Sequence, residues 1–136
     1  MEEASKKKQS NIVLALDFPF HAPEEKAQLL AKAQNVLNAV HPHICAVKIN
    51  HHLVLPLGTF NGVQKLVAQI HEKGLLAIMD CKLNDVGSTN EVIAEYYYAA
   101  GFDALIANPF IGWEEGLKPV FDIAHKHQRG VILLTY

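Results

Sequence analysis

The feature that most constrains the fold is a repeated alternation of apolar strands with amphipathic helices. Five short apolar runs recur about every 30 residues, which is the length of one β-α unit. The runs are residues 12–16, 44–49, 75–79, 102–107 and 131–135. Gly74, Gly101 and Gly130 each stand where a predicted helix ends before the next strand. The order β-α-β-α-β-α-β-α-β predicts a parallel sheet with right-handed crossover helices.

Two architectures fit this order: a doubly wound five-stranded sheet, or the first five strands of an eight-stranded barrel. The sequence has neither G-x-G-x-x-G nor G-x-x-x-x-G-K-[ST], so a nucleotide-binding open sheet has no motif support. Charged residues at successive strand ends favour the barrel, because there they converge on one mouth. These residues are Asp17, Lys48, Asp80 and Lys82. We therefore predict an α/β TIM (β/α)8-barrel fold, with only the first (βα)4β portion present in this chain.

Composition supports one domain of ordinary character. The 136 residues are 50% apolar and 19% charged, as in soluble globular proteins. The formal net charge of -2 does not indicate nucleic acid or an anionic membrane as a partner. Residues 1–10 are predicted to be a flexible N-terminal tail, without the apolar region of a signal peptide. Residues 11–136 are predicted to form the partial barrel domain.

The cysteines and histidines predict a reduced protein without a metal. Cys45 and Cys81 are both assigned to strands and lack C-x-x-C spacing, so we expect buried thiols in a cytoplasmic protein. Paired histidines occur at 41/43, 51/52 and 125/127. No pair has i, i+4 spacing on a helix with a carboxylate nearby, so a metal site is not predicted.

The stretch 78–89 carries the strongest candidate site. Asp80 and Lys82 alternate along a predicted strand and should share one face, with Cys81 on the other. A single charge here could simply mark a hydrated strand end, but Asp85 adds a third at a position where α/β proteins bind ligands. Lys48, inside an apolar strand, requires a carboxylate partner.

Local signals predict how the neighbouring helices begin and pack. The S-x-x-E pattern at residues 88–91 predicts a capping box at a helix start. The packing face of that helix is predicted to be Ile93, Tyr96, Tyr97 and Ala100. Pro23 is predicted in the first turn of the helix that reaches about residue 40.

The motif Asp80-x-Lys82-x-x-Asp85-Val86-x-x-Thr89 resembles the D-x-K-x-x-D-[IV]-x-x-T signature of the orotidine 5′-phosphate decarboxylase family. Further segments are similar to the first, second and fifth strands of that family, so the resemblance runs from about residue 12 to residue 136. These segments are residues 14–17, 47–49 and 133–135.

Related sugar-phosphate enzymes share part of this motif. The D-x-K-x-x-D part also resembles the keto-gulonate phosphate decarboxylases and hexulose phosphate synthases, which carry a glutamate where this chain has Lys48. Lys48 and Thr89 together favour the orotidine family. A sugar-phosphate decarboxylase or synthase of the same superfamily stays open as the alternative.

The resemblance implies a cofactor-free decarboxylation of orotidine 5′-phosphate to uridine 5′-phosphate in de novo pyrimidine biosynthesis. It implies an alternating charged network of four catalytic residues: Lys48, Asp80, Lys82 and Asp85. Within it, Lys82 would protonate the pyrimidine carbon as carbon dioxide leaves. Asp80 would lie near the substrate carboxylate and keep Lys82 charged.

The resemblance also implies how substrate and subunits are held. Asp17 and Lys48 would bind the ribose, and Val86 and Thr89 would complete the substrate-binding set. Asp85 and Thr89 would reach the neighbouring subunit's site, which implies a homodimer. A nucleic-acid or membrane partner is not implied.

The sequence is shorter than the resemblance implies for a complete member of the family. The resemblance implies eight strands, with phosphate-binding loops after the fifth, where this sequence stops. We therefore expect a truncated form or a fragment with little activity by itself. A non-catalytic module that self-associates through exposed strands is a third hypothesis.

Overall fold

The computed structural model describes residues 1–19 and 25–135, and the predicted helix start at Pro23 lies outside them. The chain divides into two units, Met1–Ala77 and Ile78–Tyr136. Over the described ranges, none of the helices combines the length and apolar character that crossing a membrane requires.

The first unit places helices around parallel strands. Its elements are α1 (Glu2–Lys8), β1 (Val13–Ala15), α2 (Lys26–Val40), β2 (Ala46–Asn50), α3 (His51–Leu57) and α4 (Gln64–Glu72), with a π-helical segment at Gly58–Val63. β1 pairs with β2 so that Ala15 lies opposite Lys48. The backbone N–H of Leu76, which opens β3 (Leu76–Leu83), donates to the carbonyl of Cys45. Consecutive strands are therefore neighbours here, as is usual in a β-α-β order.

Residues Glu2–Lys8 form the helix α1 within the ten residues that sequence reasoning predicted to be a tail. Glu2 and Glu3 lie in the first turn of α1 and the lysines in its last, an arrangement that suits the helix dipole. Lys8 Nζ lies 2.5 Å from the carbonyl oxygen of Lys73 at the end of α4. The predicted flexibility concerns motion and stays a prediction.

The second unit continues the alternation. After β3 come α5 (Gly87–Ala99), β4 (Ala104–Ala107), a π-helical segment (Trp113–Leu117), α6 (Lys118–Lys126) and β5 (Gly130–Leu133). β3 pairs in parallel with β4, and β4 with β5. Phe102, Leu105 and Val120 are fully buried and form part of the core between these strands and helices.

The packing face predicted for α5 is partly right: Tyr97 and Ala100 are buried and Ile93 is half-buried, but Tyr96 is exposed. The structure buries Asn90, Ala94, Tyr97 and Tyr98, whereas Tyr96 is 58% exposed. The buried stripe includes the polar residue Asn90. A prediction that counts only apolar residues therefore places the buried face of the helix at the wrong angle.

Exposed apolar strand residues lead to a prediction about the 136-residue polypeptide expressed by itself. Ile12 and Val13 at β1 are 60% and 37% exposed, and Leu133 of β5 is 41% exposed. Exposed apolar strands are templates for pairing with another chain. We expect light scattering over a dilution series to show concentration-dependent association, which the gatekeeping substitutions Val13→Lys and Leu133→Lys should weaken. A monodisperse monomer at micromolar concentration would contradict this prediction.

Candidate active site at the end of strand three

The candidate site begins with a bulge in β3. From Met79 to Leu83 the chain advances four residues, whereas β4 advances two between their partners Leu105 and Ala107, so β3 carries two extra residues. Bulges re-aim side chains and are over-represented next to active sites. The extra residues fall in the stretch that contains Asp80 and Lys82.

The backbone of Lys82 is left-handed, with φ of 48°. Gln9 and Gln128 also have positive φ, but they follow helix ends, where such residues are common. In a strand, this conformation costs on the order of 1–2 kcal/mol for a residue with a Cβ. Backbone strain of this kind is concentrated at functional sites, where it holds a side chain in place.

Asp80 and Lys82 are in contact, although β3 does not keep the regular strand alternation here that the prediction assumed. Lys82 Nζ donates to Asp80 Oδ1 at 2.5 Å, a short, charge-assisted hydrogen bond. The Asp80 side chain is 6% exposed, whereas that of Lys82 is 55% exposed. A buried carboxylate thus holds an ammonium that remains open to a ligand. β3 continues through these residues to Leu83, beyond the predicted strand end at residue 79.

Cys81, between them in sequence, takes no part in this charged pair. Its Sγ lies 3.5 Å from the carbonyl oxygen of Ile106 on the neighbouring strand. Burial raises the pKa of the Cys81 thiol to about 12, with a smaller contribution from the charge of Asp80. The thiol therefore stays protonated and unreactive at neutral pH.

In the first unit, Lys48 has the carboxylate partner that its strand position requires. Lys48 Nζ lies 3.2 Å from Asp17 Oδ2. The lysine side chain is 21% exposed and the aspartate 41% exposed, so the pair is reachable from solvent. Asp17 follows β1, and Lys48 lies in β2. The two strands pair in parallel, which places Ala15 opposite Lys48 and brings Asp17 close to it.

The predicted residues after β3 lie around the start of α5, with Asp85 and Val86 exposed before the helix and Thr89 inside it. Asp85 Oδ1 accepts the backbone N–H of Val86 at 2.7 Å. Val86 is 57% exposed and precedes α5, and Thr89 lies half-buried in the first turn of that helix. The carboxylate of Asp85 is thus oriented by the backbone while it remains open to solvent.

The predicted capping box is wrong. Helix α5 begins at Gly87 with Val86 as its N-cap, and no side chain caps it, so Ser88 already lies inside the helix. The N–H of Asn90 donates to the carbonyl of Val86, so the helical ladder starts two residues before Ser88. Just before the helix, the Asp85 carboxylate accepts the N–H of Val86, and Asn90 Nδ2 donates to the carbonyl of Asp85.

Sequence reasoning missed Asn90, whose side chain is fully buried. Its Nδ2 donates to the carbonyls of Asp85, at 2.6 Å, and Gly116, at 3.1 Å. Its Oδ1 accepts the backbone N–H of Asp85 at 3.2 Å. A polar residue on the buried stripe of an amphipathic helix was the signal that could have revealed it.

The structure brings Lys82 to Asp80 and Lys48 to Asp17, and it places Asp85 and Val86 just before α5 and Thr89 in the first turn of that helix. The convergence of Lys48 with Asp80 and Lys82 stays a prediction. Among residues 1–19 and 25–135, no group of three histidine, cysteine or acidic side chains is arranged to hold a metal ion.

Parallel strands alternating with helices, with charged side chains at the C-terminal end of a strand, define an α/β protein of the (β/α)-barrel class. The family model of the "Orotidine 5'-phosphate decarboxylase / HUMPS family" matches residues 10–136. The chain therefore belongs to this family. Its fold is a TIM-barrel fold of which it contains the (βα)4β portion.

Individual relatives agree with this assignment. Orotidine 5′-phosphate decarboxylase from Pyrococcus furiosus is 35% identical over 113 residues, covering 82% of this chain and 46% of the relative. The enzyme of that name from Nocardioides sp. is 28% identical over 119 residues, covering 82% and 43%. The crystal structure of orotidine 5′-monophosphate decarboxylase from Methanocaldococcus jannaschii matches with a TM-score of 0.68 at 28% identity, covering 90% of this chain and 52% of that chain. The chain thus spans about half the length of these relatives.

Proposed function

We propose that the gene product containing this chain decarboxylates orotidine 5′-phosphate to uridine 5′-phosphate in pyrimidine biosynthesis, with Lys82 as the proton donor. The observation that carries the proposal is the contact of Lys82 Nζ with the buried Asp80 carboxylate at the bulged end of β3. Family membership supplies the reaction class, since the curated relatives bear the name of this enzyme.

The chemistry follows from the position of the charges. The bond between the pyrimidine ring and its carboxylate breaks, carbon dioxide leaves, and the electron pair stays on the ring carbon. The ammonium of Lys82 then gives its proton to that carbon. A cation that is already in place as the negative charge develops stabilises the transition state more than the ground state. Asp80 holds the Lys82 ammonium in place until the transfer.

The proposal gives supporting roles to the other predicted residues. Lys48 and Asp17, held together at 3.2 Å, would bind the ribose hydroxyls, because an ammonium donates to them and a carboxylate accepts from them. Lys48 is also proposed to join the catalytic network with Asp80.

We propose that the protein acts as a homodimer. Asp85, Val86 and Thr89 would serve the neighbouring subunit's site from the start of α5, and the 57% exposure of Val86 supports contact with a partner. We also propose a cytoplasmic location, which the free thiols of Cys45 and Cys81 support.

The test is an assay of the purified gene product that contains this chain. We expect carbon dioxide release from orotidine 5′-phosphate to continue undiminished in the presence of a metal chelator. Turnover of a sugar phosphate that requires a divalent metal, without turnover of orotidine 5′-phosphate, would instead support the sugar-phosphate alternative. Self-association without nucleotide binding or turnover would support the non-catalytic module.

A further inference from the structure

We propose that Asn90 is a positioning residue that fixes the backbone of Asp85 and thereby places its carboxylate for the reaction. This inference rests on the proposed function, because the role of Asp85 in the site belongs to it. The hydrogen bonds between the Asn90 side chain and the Asp85 backbone can be tested independently of activity, in the unliganded protein.

The Asn90 amide closes a clamp around one residue. Its Nδ2 donates to the carbonyl of Asp85, and its Oδ1 accepts the N–H of the same residue. Both backbone hydrogen-bonding groups of Asp85 are therefore bound by one side chain. Because Asn90 lies in the first turn of α5, the clamp ties the turn after β3 to the helix that follows.

A third bond anchors the clamp to the next β-α loop. Asn90 Nδ2 also donates to the carbonyl of Gly116, in the π-helical segment after β4. The chain is tightly packed there, since a Cβ on Gly116 would lie 2.4 Å from Ile111 Cγ2. A Cβ on Gly87 would lie 3.0 Å from the carbonyl oxygen of Glu115. The two loops therefore approach each other closely where Asn90 joins them.

Because Asn90 is buried, water cannot replace these hydrogen bonds if they are lost. The Asn90 side chain is fully buried, so its polar atoms must find partners within the protein. The carboxylate of Asp85, in contrast, is exposed and accepts the N–H of Val86. A rigid backbone beneath an exposed carboxylate reduces the ordering that a substrate or a partner subunit would otherwise have to impose.

Two substitutions separate the parts of the clamp. Asn90→Ala removes all three bonds, and Asn90→Asp keeps an acceptor for the Asp85 N–H but removes the amide donor. We expect Asn90→Ala to lower kcat about 10–100-fold with a much smaller change in KM, because misplacing a catalytic group by about 1 Å can cost a factor of 100. We expect Asn90→Asp to restore part of the protection of the Asp85 N–H.

The matched control is Tyr98→Phe. Tyr98 is buried on the same helix, and its hydroxyl donates to the carbonyl of Gly130, away from Asp85. This control should lower the melting temperature without changing kcat, measured where every variant is folded. Hydrogen exchange of the Asp85 amide, followed by NMR in the unliganded protein, should accelerate in Asn90→Ala and stay unchanged in Tyr98→Phe.

The outcomes keep the two proposals apart. An Asp85 amide that exchanges equally in Asn90→Ala and wild type would overturn the inference, whatever the activity. The inference would also be overturned if the wild type is active and the kcat of Asn90→Ala lies within twofold of the wild-type value. A wild type without decarboxylase activity would instead remove the proposed function, and amide exchange would still decide whether Asn90 holds Asp85.

Discussion

Replacing Lys82 with alanine is expected to lower kcat for orotidine 5′-phosphate decarboxylation by about 10²–10⁴-fold, the usual contribution of a positioned proton donor. The substitution removes the ammonium that lies 2.5 Å from Asp80 and leaves that buried carboxylate without this partner. Steady-state kinetics of the gene product that contains this chain would measure the loss. Binding of the product nucleotide should weaken far less, because the interaction that is removed acts mainly in the transition state.

Two further lysine variants make this test specific. Lys82→Arg keeps a cation beside Asp80, but a guanidinium does not give up its proton near neutral pH, so turnover should stay low. Lys118→Ala removes another lysine of the second unit, whose exposed ion pair with Asp122 is 2.7 Å long, and should leave kcat unchanged. Near-normal turnover of Lys82→Ala would show that the proton comes from elsewhere.

Replacing Phe102 with alanine is expected to lower the free energy of unfolding by about 3–5 kcal/mol, the usual cost of this truncation in a core. Phe102 is fully buried, and its ring meets that of Tyr97 edge to face, with centroids 5.8 Å apart. Since small domains are stable by about 5–15 kcal/mol, the change would remove a large share of the total. Urea unfolding followed by circular dichroism would measure it.

Phe110→Ala is the matched control for this prediction. Phe110 is the same residue type in the same unit, but its side chain is 89% exposed. Its removal should change the free energy of unfolding by no more than about 0.5 kcal/mol. Equal losses in the two variants would mean that Phe102 is not the core residue that its burial indicates.

Much of the candidate site could be predicted because the relevant patterns are local. The alternation of Asp80 and Lys82 predicted that they share one face. The structure joins them by a hydrogen bond, although the strand is bulged between Met79 and Leu83. Lys48 inside an apolar strand required a carboxylate, and Asp17 lies beside it. Their chemical roles rest on the motif rather than on any local pattern, and those roles stay predictions.

The start and packing face of α5 could not be predicted in the same way. The S-x-x-E pattern was satisfied in sequence, but the helix starts at Gly87, where the Asp85 carboxylate accepts the N–H of Val86 and Asn90 donates to the carbonyl of Asp85. Asn90 is stable in its buried position because the carbonyl of Gly116, 26 residues away, accepts one of its protons. Sequence periodicity carries no information about such a distant partner.

The amino-acid sequence by itself determined the alternation of strands and helices and the charged residues at the strand ends, because apolar periodicity and glycine positions act over a few residues. Only the tertiary structure decided that β3 bulges and that Lys82 adopts a left-handed backbone. Both depend on the register of β3 against β4, which is set by side chains more than twenty residues apart in sequence. The clamp of Asn90 on Asp85 arises from the same long-range packing.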